Sequence, residues 1–280
     1  MNQRIDLHLH STNSDGTFTP REVVRRAAQA GLSVISLTDH DSTGGVAEAQ
    51  EEGARLGIDV IPGTELSAKN DGTDVHILGY FIDPEHPDLI SWLETFRQAR
   101  LQRAERMVSK LNRMGLRVSL EQVLVRAGPG AIGRPHIADV MVEEGLVFSV
   151  DEAFHKFLGY SKPAYVGKYS QSPSRAIQVI RAAGGLACLA HPGLYRRDDL
   201  IPDMVSAGLD GIEVRHTKHN ASHVARYTKI AAENNLLCTG GSDCHGDGRG
   251  DPIIGTVDVP VSYVEAMRER LETASRDRCR

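Results

Sequence analysis

Short apolar segments rich in β-branched residues recur along the chain, and most are followed by a stretch with helical spacing. This pattern predicts strands at residues 5–9, 34–38, 60–62, 75–81, 186–190, 211–214 and 237–240. It predicts helices between them at residues 20–30, 45–56, 174–183, 201–207 and 222–234. Because alternating strands and helices usually form a parallel sheet, we expect an α/β fold, and seven such strands favour a β/α barrel.

Residues 85 to 170 interrupt this alternation. Helical spacing predicts helices at residues 89–114, 120–127, 137–144 and 150–157, and Gly128-Pro129-Gly130 reads as a hinge-like break. We therefore predict two domains. Residues 1–84 and 171–280 form the barrel, and residues 85–170 form a small, mostly helical insertion that covers the active site at the barrel mouth.

The composition excludes several classes of protein. With 40% hydrophobic and 25% charged residues, the chain is typical of a globular protein. A net charge of −5 argues against a general nucleic-acid coat, although a local basic pocket for a nucleotide remains compatible with it. There is no apolar run of membrane-spanning length, no signal-peptide pattern and no Cys-x-x-Cys spacing. We expect a cytoplasmic protein without a membrane or an obligate protein partner.

The first predicted strand carries His8 and His10, which point to the same side because side chains alternate along a strand. They lie about 7 Å apart along the strand, close enough for both rings to bind one metal ion. Polar motifs also follow other apolar segments: Thr38-Asp39-His40-Asp41, Gly63-Thr64-Glu65, Val75-His76, Ala190-His191-Pro192 and Ser242-Asp243-Cys244-His245. With Asp15, they supply nine candidate catalytic and metal-ligating residues: His8, His10, Asp15, His40, Glu65, His76, His191, Asp243 and His245.

Most of these candidates lie at or just beyond the C-terminal end of a predicted strand, namely His10, His40, Glu65, His191 and Asp243. A β/α barrel builds its active site from the loops at that end of its strands. His76 is the exception, because it lies at the start of its apolar segment.

Six imidazoles and three carboxylates suit Zn²⁺, Mn²⁺ or Fe²⁺ better than a hard ion such as Ca²⁺. Nine ligands exceed what one ion can use, so we expect two or three clustered divalent ions, bridged by Glu65 or Asp243. Such a cluster would lower the pKa of a bridging water towards ~7 and would polarise phosphoryl oxygens. The predicted reaction is metal-assisted phosphoester hydrolysis. An amidohydrolase acting on C–N bonds would use similar metals, but the arginines described below favour phosphate.

These motifs resemble those of the polymerase-and-histidinol-phosphatase (PHP) family, and they occur in order over residues 4–81 and 186–256. The resemblance implies a distorted seven-stranded (β/α) barrel with a trinuclear metal site and phosphoesterase activity. It implies one ion on His8, His10, Glu65 and Asp243. It also implies a second ion on Glu65, His76 and His191, and a third on Asp15, His40 and His245. We expect manganese, with zinc and iron as alternatives.

The insertion, with its Gly133-Arg134-Pro135-His136 motif, resembles the branch of the family that includes 3′,5′-nucleoside bisphosphate phosphatases. Arginines recur every third residue along the long predicted helix, at Arg97, Arg100, Arg103 and Arg106. Either this stripe is a solvated face, or its middle contacts substrate, as the resemblance favours for Arg103 and Arg106. Further candidate substrate contacts are Asp15, His40, Arg134, His136 and Lys168.

Other polar residues near the candidate ligands have predicted roles of their own. Asp41 and Ser242 adjoin ligands and are predicted to orient them, and Asp41 is also a candidate proton donor to the leaving group. His216 follows the sixth predicted strand, where a phosphate contact is one interpretation. His219 and His223 have the spacing of a ligand pair on a helix, but packing is the simpler interpretation.

We consider several functions. The leading hypothesis is removal of the 3′-phosphate from a small nucleoside 3′,5′-bisphosphate, such as adenosine 3′,5′-bisphosphate, by attack of a metal-bridging hydroxide. A second is 5′-3′ exonuclease action on short RNA or DNA oligonucleotides. A third is a histidinol-phosphate-type phosphatase, which requires an acidic partner for the substrate amine that the basic insertion does not offer. The non-enzymatic alternative is a regulatory domain in which the metals only stabilise the barrel.

Overall fold

The structure is a computed structural model that describes residues 4–128, 132–247 and 252–278. The chain divides into two compact units. The barrel unit comprises Met1–Ser91 and Ser170–Arg280, and the helical unit comprises Trp92–Tyr169. Pro129 and Gly130 of the predicted hinge lie outside the described residues.

The barrel unit is built on one seven-stranded sheet whose strands follow one another in sequence order. The strands are β1 Arg4–Leu9, β2 Leu32–Leu37, β3 Asp59–Asn70, β4 Thr73–Tyr80, β5 Leu186–Leu189, β6 Gly211–His216 and β7 Leu237–Gly241. The chain that follows β7 runs beside β1, where the Asp243 N–H donates to the His8 carbonyl at 2.9 Å and the His10 N–H donates to the Cys244 carbonyl at 3.0 Å. The sheet is thereby nearly closed, which confirms the predicted distorted seven-stranded β/α barrel.

The prediction of an all-parallel sheet was wrong for β4, which pairs antiparallel with both β3 and β5. The other neighbouring strands pair in parallel. β3 does not end at Pro62 but continues to Asn70, and its second half forms a hairpin with β4. The connection is Asp71-Gly72, with φ values of 45° and 83°. Positive φ at both positions is typical of the tight turn that an Asp-Gly pair forms between two strands.

The helices, in chain order, are α1 Pro20–Gln29, α2 Val46–Leu56, α3 Pro87–Arg113, α4 Leu120–Ala127, α5 Arg134–Glu143, α6 Val150–Ala153, α7 Pro173–Ala182, α8 Pro192–Tyr195, α9 Ile201–Ser206, α10 Ala221–Glu233 and α11 Ser262–Arg278. The five helices predicted between strands are confirmed as α1, α2, α7, α9 and α10. The short α8 and the C-terminal α11 were not predicted.

Local chemistry explains where α1 begins. The Thr19 side chain accepts from the Glu22 N–H at 3.3 Å, and the Glu22 carboxylate accepts from the Thr19 N–H at 2.8 Å. This reciprocal pair satisfies two of the donors that the first turn leaves free, and Pro20 has no N–H to satisfy. Gly31 follows the helix with φ 73°, a conformation that favours glycine.

Two apolar clusters stabilise the barrel unit. The first joins β1 and β2 to α1 and α2: Leu9, Phe18, Val23, Val24, Ala27, Leu32, Ile35, Leu37, Ala49, Ile58, Val60 and Cys244. The second joins strand residues to α11: Ile5, Leu7, Val34, Ile61, Leu78, Tyr80, Leu186, Cys188, Ala190, Leu237, Val259, Val264 and Met267. Removing this apolar surface from water drives the sheet and its helices together. Cys188 and Cys244 are packed in these clusters.

The helical unit has its own core, formed by buried side chains from α3 to α6 and the segment after them: Ala104, Met107, Val108, Leu111, Val118, Val123, Ile137, Ala138, Val140, Met141, Val147, Ala153, Leu158 and Ala164. The predicted helices of this segment are present, although the last one continues beyond Ala153 as a π-helical turn, Phe154–Leu158. The position of the helical insertion over the barrel mouth stays a prediction. Across the described part of the chain, no helix is both long and apolar enough to cross a membrane.

Candidate metal centre

β1 brings two histidines to one end of the barrel. Leu7 and Leu9 point into apolar clusters, so the alternation of the strand turns His8 and His10 to the opposite face. The rings of His8 and His10 lie 5.1 Å apart, centroid to centroid, and neither side chain is exposed. The predicted shared face of these two residues is therefore present.

Glu65 is the centre around which the other side chains gather. Its carboxylate is fully buried. Oε1 lies 2.8 Å from His76 Nδ1 and 3.0 Å from His191 Nε2. Oε2 lies 3.0 Å from His40 Nδ1, and 3.3 Å from the Nε2 atoms of both His8 and His10. One carboxylate thus meets five imidazoles, which is the geometry of a residue shared between cations.

The other two candidate carboxylates extend the cluster. Asp243 Oδ1 lies 3.2 Å from His10 Nε2 and 3.4 Å from His8 Nε2. Asp15 Oδ1 lies 3.1 Å from His245 Nε2. Three sets have ligand atoms that all lie within 4.8 Å of one another: His8, His10, Glu65 and Asp243; His40, Glu65 and His76; and His10, Asp15, His40 and His245. His191 joins the cluster through Glu65, so all nine candidate residues come together.

The direction of β4 explains the position of His76. Because β4 runs opposite to the other strands, its beginning lies at the edge where the parallel strands end. His76 pairs with Ser67 in the β3–β4 ladder, and its N–H donates to the Tyr195 hydroxyl at 3.0 Å. Glu65 also differs from expectation, since it lies in the middle of the long β3 rather than at a strand end. The parallel pairing of β2 with β3 ends at Pro62, before Glu65, and resumes in an isolated bridge between His40 and Glu65.

The donor set fits divalent transition metals. His10 Nδ1 and Nε2, His40 Nδ1 and His191 Nδ1 are buried without a hydrogen bond of acceptable geometry among the described residues. Buried polar atoms almost always have a partner, and unpartnered imidazole nitrogens beside carboxylates are typical of a metal site.

The carboxylates are held in the ionised form that metal binding requires. Burial by itself raises the pKa of Glu65, but the neighbouring His40, His76 and His8 outweigh it and hold the pKa well below its usual value. The pKa of Asp15 is lowered in the same way, chiefly by His40, against the effect of burial. The pKa of Asp243 is lowered chiefly by His8, again against burial.

Further buried carboxylates, which no sequence motif indicated as functional, support the site. Asp39 accepts from the Ser11 N–H at 2.7 Å, the Ser11 hydroxyl at 2.7 Å and the Ser14 hydroxyl at 2.5 Å. It therefore holds the loop that carries Asp15. Asp6 accepts from the Ser242 N–H at 2.9 Å and holds the chain just before Asp243. A charged residue inside an apolar strand was the signal that could have identified Asp6.

Asp41 forms hydrogen bonds with the backbone around Glu65. Its carboxylate accepts from the Ser67 N–H at 2.8 Å, and its own N–H donates to the Glu65 carbonyl at 2.9 Å. These contacts join the chain after β2 to β3 at Glu65 and two residues beyond it. They agree with an orienting role for Asp41, whereas its alternative role as a proton donor stays a prediction.

The three later histidines differ in their contacts. His216 is buried, and its Nε2 lies 3.3 Å from Asp243 Oδ2. His219 uses both nitrogens within the barrel unit, since Nδ1 lies 2.9 Å from the Val214 carbonyl and Nε2 accepts from the Gly193 N–H at 3.1 Å. Because both nitrogens of His219 are hydrogen-bonded, neither is available to a metal ion. The interpretation of His219 and His223 as a ligand pair therefore has no support.

The remaining predicted substrate contacts lie in the helical unit. Arg103 is buried and donates from Nε to the Val166 carbonyl at 2.8 Å. Arg134 donates to the Leu158 carbonyl at 3.3 Å, and its guanidinium lies 5.8 Å from the Tyr165 ring centre. His136 Nδ1 accepts from the Gly133 N–H at 3.2 Å, which caps α5.

A groove of about 420 Å³ lies along α3 in the helical unit, lined by Arg106, Ser109, Lys110, Arg113, Tyr165, Val166 and Gly167. Arg106, a predicted substrate contact, donates from Nε to the Gln102 carbonyl at 3.1 Å. Lys168 is exposed. The substrate roles of these residues stay predictions.

Comparison with known proteins identifies the family. The sequence profile of the PHP domain matches residues 6–123. The 3′,5′-nucleoside bisphosphate phosphatase of Chromobacterium violaceum is 38% identical over 272 residues, which cover 95% of each chain. The 5′-3′ exoribonuclease of Haemophilus influenzae is 35% identical over 254 residues, which cover 88% of this chain and 91% of that protein. A candidate metal-dependent phosphoesterase from Bifidobacterium adolescentis superposes with a TM-score of 0.85 and 34% identity over 95% of both chains.

The C. violaceum relative and the B. adolescentis structure are each similar over 95% of this chain, which includes most of both units. The C. violaceum relative is a phosphatase, and the B. adolescentis structure is that of a candidate metal-dependent phosphoesterase. The chain belongs to the PHP family and is a metal-dependent phosphoric ester hydrolase.

Proposed function

We propose that the protein removes the 3′-phosphate from nucleoside 3′,5′-bisphosphates, converting adenosine 3′,5′-bisphosphate to AMP and phosphate. The observation that carries this proposal is the gathering of five imidazoles around the buried Glu65 carboxylate. Similarity to the bisphosphate phosphatase of C. violaceum over 95% of each chain supports the substrate.

The metal ligands that we propose follow the family motifs. His8, His10, Glu65 and Asp243 would hold one ion, Glu65, His76 and His191 a second, and Asp15, His40 and His245 a third. The ligand atoms of the first set, and those of the third set, lie within 4.8 Å of one another. Bound divalent ions, which we propose to be manganese, would polarise the phosphoryl oxygens and lower the pKa of a water molecule.

The reaction is a hydrolysis in which the bond between phosphorus and the 3′-oxygen breaks. Water supplies the new oxygen on phosphorus, and one of its protons goes to the 3′-oxygen, which leaves as a hydroxyl group. Asp15 and His40 would contact the departing phosphate in addition to holding metal. Water that is activated and positioned inside a buried cluster reacts more readily than bulk water, because it is already oriented.

The charge of the helical unit supports recognition of a second phosphate. Residues 92–169 contain twelve Lys and Arg against eight Asp and Glu, whereas the whole chain has a net charge of −5. We propose that Arg103, Arg106, Arg134, His136 and Lys168 bind the 5′-phosphate and ribose. Guanidinium groups suit this role because they donate paired hydrogen bonds to phosphate oxygens.

The test is a phosphate-release assay on purified protein loaded with Mn²⁺. We expect release of one phosphate from adenosine 3′,5′-bisphosphate, with AMP that retains its 5′-phosphate identified by ³¹P NMR. The Glu65→Gln variant is the matched control, because it keeps the shape of the side chain but removes the charge shared by five imidazoles. Release of the 5′-phosphate, or no release above the control, contradicts the proposal.

A second candidate, 5′-3′ exonuclease action on short oligonucleotides, is favoured by the groove along α3. Arg106, Lys110 and Arg113 face it at the four- and three-residue spacing of one helix side, and none has a carboxylate partner among the described residues. Basic side chains that are not neutralised by carboxylates suit a chain of phosphates along a groove. The exoribonuclease of H. influenzae is a relative over 88% of this chain.

A pair of substrates separates the two functions. If the groove binds a longer chain, Lys110→Gln with Arg113→Gln lowers kcat/KM on a 5′-phosphorylated pentanucleotide about tenfold and leaves the bisphosphate reaction unchanged. The pair Lys156→Gln with Lys162→Gln, which lie outside the groove lining, controls for loss of positive charge. No shortening of the oligonucleotide by the unchanged protein excludes the second candidate.

A further inference from the structure

We propose that Glu213 on β6 is a positioning residue of the metal centre, and that its carboxylate sets the orientation of both His8 and His191. Neither the sequence motifs nor the comparisons assign a role to Glu213. The inference rests on the proposed roles of His8 and His191 as metal ligands.

The contacts of Glu213 are made at both of its oxygens. Its side chain is fully buried. Oε1 lies 3.0 Å from His8 Nδ1, and Oε2 accepts from the His191 N–H at 2.7 Å. A buried carboxylate is unfavourable unless its oxygens have donors, and here each oxygen has one.

The contact between Glu213 and His8 decides which ring nitrogen of His8 carries the proton and which one presents its lone pair to the cluster. A neutral imidazole has one N–H and one free nitrogen. Since Nδ1 faces a carboxylate that can only accept, Nδ1 carries the proton. Nε2 is then free to bind metal, and it lies 3.3 Å from Glu65 Oε2 and 3.4 Å from Asp243 Oδ1. A ligand ring that donates its other N–H to a carboxylate is both oriented and made more basic.

The contact with His191 acts on the backbone. His191 has φ 27° and ψ 55°, a left-handed conformation that is unfavourable for a residue other than glycine. Such a conformation persists when surrounding contacts hold it, and the Glu213 carboxylate holds the His191 N–H. The bend lets the chain turn from β5 into α8 while the His191 ring remains 3.0 Å from Glu65 Oε1.

Glu213 therefore links two candidate ligands that are far apart in the chain. His8 comes from β1 and His191 follows β5, and the strand that carries Glu213 is paired with β5 and β7. On the same strand as Glu213, His216 makes a comparable contact with Asp243. Its Nδ1 accepts from the Lys218 N–H at 3.1 Å, and its Nε2 lies 3.3 Å from Asp243 Oδ2. β6 thus carries two side chains, Glu213 and His216, that contact cluster residues.

The first experiment compares metal affinity in the unchanged protein and in Glu213→Gln. We expect the variant to bind Mn²⁺ about 10- to 100-fold more weakly in a chelator competition, as is usual when such a partner is removed. The matched control is Glu52→Gln, a buried carboxylate that pairs with Arg25 and Arg55 instead of the cluster, and its Mn²⁺ affinity should be unchanged. A folded Glu213→Gln protein with affinity within twofold of the unchanged protein overturns the inference.

A second measurement needs no variant and so does not depend on its folding. In Zn²⁺-loaded protein, which is diamagnetic, long-range ¹H–¹⁵N spectra should show the His8 proton on Nδ1. A His8 proton on Nε2 overturns the inference. Failure of the proposed function is distinguishable from failure of this inference. If the proposed function is wrong, the unchanged protein binds no metal or releases no phosphate. The inference about Glu213 is tested instead by the difference in metal affinity between variants and by the His8 tautomer.

Discussion

His76 Nδ1 lies 2.8 Å from Glu65 Oε1, and the two residues belong to adjacent antiparallel strands joined by a two-residue turn. The hairpin therefore carries both the residue at the centre of the cluster and one of its histidine partners. Because the two strands are paired from Gly63 with Tyr80 to Asn70 with Thr73, the distance between these side chains is set by a continuous ladder. The stability of the turn should consequently matter for the metal centre.

Substitution at the turn tests this relationship. Gly72 has φ 83°, and a Cβ added there would meet no atom within 4 Å, so only the backbone conformation opposes a side chain. We expect Gly72→Ala to lower the free energy of unfolding by roughly 1–2 kcal/mol. Gly72→Asn should lower it less, because asparagine adopts this conformation more readily. Urea denaturation measures both, and equal losses would contradict the explanation.

The contact between β7 and β1 leaves no room at Gly241. A Cβ there would lie 2.4 Å from both the Cβ and the backbone nitrogen of His8. We expect Gly241→Ala to cost roughly 1–3 kcal/mol of stability and to reduce the metal content of the purified protein, because His8 must shift. Gly167→Ala is the control, since nothing lies within 4 Å of its added Cβ. Full metal content in Gly241→Ala, measured by elemental analysis, would show that His8 does not need this packing.

Asp39 should affect both stability and metal binding, although it is not one of the nine candidate ligands. Removing its carboxylate in Asp39→Ala leaves the buried donors of Ser11 and Ser14 without partners. We expect a loss of roughly 3 kcal/mol, together with weaker metal binding because the loop with Asp15 is released. Ser14→Ala removes a single hydrogen bond and should cost about 1 kcal/mol. Thermal unfolding of both variants, with and without Mn²⁺, tests the order of these effects.

Removal of metal should destabilise the barrel unit. Buried imidazoles and ionised carboxylates that lose their cations are left desolvated around Glu65. With free metal at 100 times its dissociation constant, binding stabilises the fold by about 2.7 kcal/mol. We expect EDTA to lower the unfolding temperature by roughly 5–10 °C and added Mn²⁺ to restore it. An unfolding temperature that does not respond to EDTA contradicts a metal site in this cluster.

Much of the fold could be predicted from the order of apolar and polar residues. Alternating and helical spacings located seven strands and the helices between them, because burial of one face is a local requirement that each segment must meet. The direction of β4 could not be read from its own residues, since a strand with alternating side chains is compatible with either direction. The Asp71-Gly72 pair was the local sign of the hairpin, and it lay beyond the predicted end of the third strand.

By itself, the sequence determined which residue types are available and that they lie near the ends of strands, so the nine candidate residues could be named together. Only the tertiary structure decided which atoms meet. Glu213 lies 205 residues from His8 in the chain, and Glu65 is 126 residues from His191. Contacts over such separations depend on how the sheet closes and on the register of its strands, and no periodicity within a segment contains that information.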